Sequence, residues 1–146
     1  MDIQLINNEL LSALHEQAKA SERLRMNFDL RTTPEDTSQR MLNALLPGTE
    51  VPIHRHPNSN EDVLLITGKM YEILYEEEPL VNGEGLMVHG SRLREKERLY
   101  LCPAEGRYGC QVPKGVWHTV EVLEPSVIYE AKDGKYGEDG SEMYDV

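Results

Sequence analysis

The chain is 146 residues long, which is the size of a single domain. It carries 26 acidic residues against 15 lysines and arginines, and the net charge of −11 argues against nucleic acid or an anionic membrane as the main partner. Hydrophobic residues make up 39% and charged residues 28%, a balance typical of a folded domain. The first residues lack the basic and apolar regions of a signal peptide, and no apolar stretch is long enough to span a bilayer, so we expect a cytoplasmic protein.

One helix is predicted at the front of the chain, within residues 1–22. Asn7 or Asn8 can cap its N-terminus, since a short polar side chain there accepts a hydrogen bond from the first turn. An apolar stripe with a 3.6-residue period follows, formed by Leu10, Leu11, Leu14 and Ala18. We expect this helix to pack on the rest of the domain.

From residue 24 onwards the hydrophobic period changes to two, which is typical of strands with one buried face. Residues 24–30 form the first such segment. Further strands are predicted at 40–46, 51–56, 61–67, 69–75, 97–102, 109–112, 116–122 and 126–131. Many short strands behind one short helix predict an all-β fold, a small antiparallel sandwich or barrel. Residues 76–105 are predicted to form a hairpin excursion with a charged, solvated face.

We expect one domain in all, with the helix on a barrel over residues 23–131 and an acidic, glycine-rich tail over residues 132–146. The tail is expected to pack against the barrel or a neighbouring chain. The strand at 61–67 is apolar on both faces, so the second sheet must cover one face and the helix or a partner subunit the other.

The chemistry of the chain is concentrated in one histidine-containing segment. His54 and His56 are two residues apart on a predicted strand, so their side chains point to the same face. A four-residue turn then brings Glu61 within reach, and His118 on a later strand can supply a third imidazole. A lone histidine is usually structural, but three imidazoles and a carboxylate together suit one divalent transition metal. Zn, Fe, Mn and Ni all accept this ligand set, and the sequence does not choose among them.

These residues also form a known pattern. The first cupin motif is matched at every position by Gly48-x5-His54-x-His56-x4-Glu61-x6-Gly68, and the core of the second by Pro113-x-Gly115-x-x-His118. The chain therefore resembles the cupin superfamily, which implies a jelly-roll barrel that binds metal through His54, His56, Glu61 and His118. Homodimers are common among cupins, so the resemblance also implies a homodimer.

A narrower resemblance covers residues from about 20 to about 136. It is carried by Ser21–Asn27, Gln39–Ala44, Val116–Thr119 and Leu123–Pro125. These segments resemble the WbuC family of cupin-fold metalloproteins. That resemblance implies an association with bacterial surface-polysaccharide biosynthesis.

Four further residues are candidates for substrate contacts, namely Arg25, Asn27, Asn43 and Gln111. The alternation at 24–30 puts Arg25 and Asn27 on one polar face, which is either the solvated face of an edge strand or a wall of the metal pocket. An arginine in the pocket can bind a carboxylate or phosphate with two hydrogen bonds. The family resemblance favours the pocket.

Three functions remain open from the sequence. The first is a metal-dependent enzyme, of isomerase or oxygenase type, acting on a small polar metabolite such as a sugar or sugar acid. The second is a non-catalytic module that uses the metal to bind or sense a small molecule, and the third is a purely structural metal. The catalytic residues cannot be assigned, because the cupin fold hosts many activities.

Overall fold

The computed structural model describes residues 2–83, 87–134 and 139–144. Across these residues the chain forms one α-helix, eight strands and one short 3-10 helix. The elements are α1 (Asn8–Ala20), β1 (Arg25–Asp29), β2 (Ser38–Leu45), β3 (His54–Arg55), β4 (Glu61–Val81), β5 (Met87–Leu101), the 3-10 helix (Pro103–Glu105), β6 (Gly109–Val112), β7 (Trp117–Asp133) and β8 (Glu142–Met143).

The strands form a curled antiparallel sheet in the order β1-β2-β7-β3-β8, and β7 also pairs with β4, which pairs in turn with β5 and β6. With one helix at its front, this sheet confirms the predicted all-β antiparallel fold. The two long strands β4 and β7 pair with each other and connect the strands beside β7, namely β2 and β3, to those beside β4, namely β5 and β6. Their pairing shifts register between Leu65 and Met70, and irregularities of this kind bend a strand without ending it.

Several predicted strand boundaries were wrong for this reason. The predicted strands at 61–67 and 69–75 are one strand, β4, and those at 116–122 and 126–131 are both part of β7. Gly68 marks the bend between the first two, with φ of 109°, and a Cβ there would lie 2.2 Å from the Ser126 Oγ. Only glycine fits such a position without strain. The predicted strand at 51–56 is shorter, because only His54 and Arg55 make ladder contacts.

The charged excursion at 76–105 is a hairpin between β4 and β5. Glu78 lies opposite Arg92, and the Arg92 Nε is 3.1 Å from the Glu78 Oε2. Arg94 also pairs with Glu76. The tip at residues 84–86 lies outside the described residues.

Two hydrophobic clusters stabilise the fold on opposite faces of the same strands. Inside the barrel, one cluster consists of Leu45, Val63, Leu65, Met70, Leu101, Val112, Val122 and Ile128. Outside, the other lies beneath α1 and consists of Leu11, Leu14, Ala18, Leu42, Ala44, Leu46 and Val127. Helix α1 begins as predicted, because the Asn7 side chain accepts a hydrogen bond from the Leu10 N–H at 3.0 Å. Met26 and Phe28 in β1, and Leu42 and Ala44 in β2, pack beneath α1. The residues between them in these two strands therefore face the interior of the barrel.

The C-terminal segment returns to the barrel. Its strand β8 pairs with β3, with Met143 opposite His54, and the Tyr144 N–H donates to the Ile53 carbonyl at 2.9 Å. Residues 135–138 and 145–146 of the predicted tail lie outside the described residues. Among the described residues, no helix combines the length and the apolar character that a membrane span requires.

Candidate metal centre

Three histidines meet at one end of the barrel. His54 in β3 lies directly opposite His118 in β7, and His56 follows one residue after β3. One ring nitrogen of each lies within 4.8 Å of those of the other two. Glu61 opens β4 beside them, with its Oε2 3.0 Å from the His56 Nε2 and its Oε1 3.6 Å from the His118 Nε2. The structure thus brings together all four side chains that the sequence predicts as ligands.

The far nitrogen of each ring is held by an outer partner. The Nδ1 atoms of His54 and His118 lie 2.8 Å from the Pro52 carbonyl and 2.9 Å from the Val116 carbonyl. A carbonyl only accepts hydrogen bonds, so both Nδ1 atoms carry a proton, and in the neutral form of each ring the Nε2 presents a lone pair. Outer partners of this kind fix the orientation and tautomer of metal-binding histidines.

The inner nitrogens provide a test of whether a metal fits. The Nε2 atoms of His56 and His118 are buried, and neither has a hydrogen-bond partner among the described residues. An unpaired buried acceptor costs about 1–3 kcal/mol. The His56 Nε2 also faces a carboxylate oxygen of Glu61, and two such acceptors repel each other unless a proton or a metal cation lies between them. The donor set of imidazoles and a carboxylate therefore fits a divalent transition metal.

The titration of these groups agrees with this donor set. Burial and the neighbouring His118 lower the pKa of His54 to about 4, so its imidazole is neutral at pH 7. Burial alone would raise the pKa of Glu61, but the imidazoles of His118 and His56 lower this pKa well below the usual range, and the carboxylate stays ionised. A neutral imidazole at His54 and an ionised carboxylate at Glu61 are the protonation states that metal ligands require.

A cavity of about 360 Å³ opens beside this site. It is lined by His54, His56 and Glu61, and also by three of the four residues predicted to contact substrate, Arg25, Asn27 and Asn43. The alternation of β1 accounts for this, since Met26 and Phe28 pack under α1 and their polar neighbours face inward. His118 lies behind the cavity and is only 2% exposed.

The structure places Gln111, the fourth predicted substrate residue, outside this cavity. Its neighbours Cys110 and Val112 pack into the interior cluster, so its own side chain points outward. There it donates a hydrogen bond to the Asp62 Oδ1 at 2.7 Å.

Several polar residues of the cavity were not predicted. They are Arg23, Gln39, Glu130, Lys132, Asp139, Ser141 and Glu142. Gln39 and Asn43 are on the same face of β2, so the period-two pattern could have identified Gln39. No sequence signal links Asp139 or Ser141 to the site, because they reach it only through the pairing of β8 with β3.

Residues 6–87, more than half of the sequence, match the family model described as Domain of unknown function (DUF6016). The chain belongs to the DUF6016 family. No curated protein matches it significantly.

Solved structures resemble this DUF6016 protein in fold. The capsular polysaccharide assembling protein CapF from Staphylococcus aureus aligns with a TM-score of 0.59 and 19% identity over 86% of this chain and 33% of CapF. Oxalate oxidase in complex with glycolate aligns with a TM-score of 0.53 and 11% identity over 85% of this chain and 57% of the oxidase. Peruvianin-I, a cysteine peptidase from Thevetia peruviana latex, aligns with a TM-score of 0.55 and 14% identity over 84% of this chain and 68% of peruvianin-I.

At these identities the likeness shows the fold alone, and it confirms the predicted cupin jelly roll. The DUF6016 chain spans about a third of CapF and just over half of oxalate oxidase. The chain thus has a cupin jelly-roll fold, and its three-histidine group could bind a metal.

Proposed function

We propose that this DUF6016 protein is a metal-dependent enzyme acting on a small polar metabolite, with a sugar as the substrate class. One observation carries the proposal: the Nε2 atoms of His56 and His118, which have no hydrogen-bond partner in the described part of the chain, converge on Glu61 beside an open cavity. A structural metal site is usually closed, whereas a catalytic site faces a space that a substrate can enter.

His54, His56, Glu61 and His118 would hold the metal. When bound there, a divalent transition metal supplies Lewis acidity towards a substrate oxygen, or redox chemistry if it is iron or manganese. The protein itself fixes the imidazoles through Pro52 and Val116 and keeps the Glu61 carboxylate ionised.

The opposite wall of the cavity favours a substrate rich in hydroxyl groups. Its amides come from Asn27, Gln39 and Asn43, and the Gln39 Oε1 and Asn43 Oδ1 have no partner among the described residues. Burial raises the pKa of Glu130 to about 8, so this carboxyl is mostly protonated at neutral pH and can donate a hydrogen bond. Neutral amides and a carboxylic acid match the donors and acceptors of a sugar.

Two of the cations that line the cavity, Arg25 and Lys132, already have partners, and the third, Arg23, is exposed to solvent. The Arg25 Nη1 donates to the Glu50 carbonyl at 2.9 Å, and Lys132 forms a buried pair with Asp139. A carboxylate or phosphate on the substrate would have to compete with these partners. We therefore favour a neutral sugar over a sugar acid.

A place in surface-polysaccharide biosynthesis is the setting that we propose for this activity. The resemblance to the WbuC family supports it, and so does the likeness of the fold to CapF, a capsular polysaccharide assembling protein.

We also propose a homodimer, because α1 leaves Leu64 and Ile66 on the outer face of β4 exposed. Light scattering of the wild type and of a Leu64→Asp, Ile66→Asp variant tests this, and a monomeric wild type would contradict it.

Turnover tests the proposed function. Protein stripped with a chelator and reloaded separately with Fe²⁺, Mn²⁺, Zn²⁺ or Ni²⁺ would be incubated with neutral monosaccharides and with the matching uronic acids, and followed by NMR. We expect product with at least one metal, from a neutral sugar, and none from the His54→Ala variant. Stabilisation by a sugar without any product would indicate the binding module instead. Equal turnover by His54→Ala would contradict the proposed site.

A further inference from the structure

The C-terminal segment contacts His56 at Nδ1, the ring nitrogen that points away from Glu61. The Ser141 Oγ lies 2.6 Å from the His56 Nδ1, and it lies 2.5 Å from the Asp139 Oδ2. We propose that Ser141 and Asp139 are positioning residues, which hold His56 in the orientation and tautomer that a metal ligand needs. The proposal rests on the metal site proposed above and goes beyond its four ligands.

The direction of each hydrogen bond follows from the chemistry of the groups. Asp139 is paired with the ammonium of Lys132, so its carboxylate is ionised and only accepts. The single hydroxyl proton of Ser141 is donated to this carboxylate, and the Ser141 Oγ must then accept from the His56 Nδ1–H. His56 consequently carries its proton on Nδ1, and its Nε2 presents a lone pair towards Glu61.

The three histidines differ in what supports them. His54 and His118 each donate to the carbonyl two residues earlier in the chain, a contact that the local backbone supplies. His56 is supported by a side chain 85 residues away. Its orientation therefore depends on the return of the C-terminal segment, whereas the orientations of His54 and His118 do not.

The support itself is well fixed. The Ser141 N–H donates to the Asp139 Oδ1 at 3.1 Å, and the Asn58 side chain donates to the Asp139 carbonyl at 3.0 Å. Asp139 and Lys132 are both almost fully buried. Pairing of β8 with β3 then places Met143 opposite His54, so the segment is anchored on both sides of Ser141. Outer partners anchored in this way raise the affinity of the ligand that they orient.

The experiment compares Ser141→Ala with Ser141→Thr, which keeps the hydroxyl. Ser59→Ala is the matched control, because this half-buried serine also loses one hydroxyl, which donates to the Asp133 carbonyl at 3.2 Å and not to a candidate ligand. Zn²⁺ affinity would be measured by competition with a chromophoric chelator, and the Co²⁺ forms would be compared by their d–d absorption. Long-range ¹H–¹⁵N NMR of the metal-free proteins reports the tautomer of His56.

We expect Ser141→Ala to bind Zn²⁺ about 10- to 100-fold more weakly than the wild type, the usual cost of losing an outer partner. Its Co²⁺ spectrum should change, and its His56 should lose the uniform Nδ1–H form. Ser141→Thr and Ser59→Ala should resemble the wild type. The Ala variant should remain folded without metal and unfold at a modestly lower temperature, because the buried His56 Nδ1–H loses this acceptor.

Wild-type affinity and an unchanged tautomer in Ser141→Ala would overturn the inference while leaving the metal site intact. Failure of the wild type itself to bind Zn²⁺ and Co²⁺ would overturn the proposed function, and the inference that rests on it would fall with it. The NMR measurement would then show whether Ser141 orients His56 for a different purpose.

Discussion

His54 and His118 occupy directly paired positions in the antiparallel ladder between β3 and β7, and their ring centroids are 4.2 Å apart. Side chains opposite each other in such a ladder are close whatever their chemistry. Since β3 contains only two residues and lies between β7 and β8, the barrel on one side and the C-terminal segment on the other define the position of His54. The candidate metal site is thus a consequence of strand pairing.

Replacing Glu61 by glutamine tests its place among the ligands. Glutamine preserves the shape of the side chain but removes the charge that faces His56 and His118. We expect Zn²⁺ affinity to fall by roughly 100-fold or more, since loss of an outer partner alone costs about 10- to 100-fold. Isothermal titration calorimetry measures this. The control is Asp62→Asn, which changes the neighbouring exposed carboxylate, and equal affinities in the two variants would remove Glu61 from the ligand set.

Removal of the metal should leave the protein folded. Both hydrophobic clusters pack without any of the four candidate ligands. After chelation we expect an unchanged far-UV circular dichroism spectrum and a cooperative melt, with the Tm lowered only by the loss of a bound ion. Unfolding on chelation would instead indicate a structural metal.

The buried carboxyl of Glu72 should make stability depend on pH. Burial, together with the charge of Glu61, raises the pKa of Glu72 well above its usual value, and Glu130 adds to this effect where it is ionised. The folded state then holds a proton that the unfolded state has lost above a pKa of about 4.3, so the stability that this proton supplies is complete at lower pH and is lost as pH rises.

Glu72→Gln removes this dependence. Its free energy of unfolding relative to the wild type should increase as pH rises above 5, by up to about 1.4 kcal/mol per pH unit. Urea denaturation of the metal-free proteins at several pH values measures the difference, and any constant cost of the amide cancels in the comparison. A difference that does not vary with pH would contradict the assignment.

Lys132 and Asp139 should show strong coupling. Their side chains are only 1% and 2% exposed, and either charge left alone would be buried without compensation. We expect Lys132→Met or Asp139→Leu alone to destabilise the protein by about 3–5 kcal/mol, and the double variant to be more stable than either single variant. Burial opposes ionisation of Asp139, but Lys132 and Ser141 hold its pKa at about 2, so the contribution of the pair is present above pH 4 and is lost as pH falls towards 2. Additive effects in a double-mutant cycle would contradict this coupling.

The sequence predicted the parts of the fold and site that depend on local periodicity. Spacing of two residues on one strand placed His54 and His56 together, and the alternation of β1 placed Arg25 and Asn27 opposite the residues that pack under α1. Helix α1 covers the apolar face of β1, so Arg25 and Asn27 on the opposite face line the cavity.

The remaining features depend on long-range pairing. Alternation assigns Gln111 to one face of β6 but does not say which face is internal, and the packing of Cys110 and Val112 decides this. Ser141 and Asp139 belong to a short segment without a motif, and only the pairing of β8 with β3 brings them to His56. The sequence predicts a break between two strands at Gly68, whereas the structure has a bend within one strand. A glycine occurs at both kinds of position, so the residue type alone does not distinguish them.

The central claim is that His54, His56, Glu61 and His118 hold a metal, and elemental analysis tests it most directly. Protein purified without added metal or chelator would be compared with its His54→Ala variant and with His15→Ala as a control, since the His15 ring contacts the Ser126 carbonyl far from the site. We predict close to one equivalent of a divalent transition metal in the wild type and in His15→Ala, and little in His54→Ala. An absence of metal from the wild type, together with no uptake of added Zn²⁺, would contradict the account.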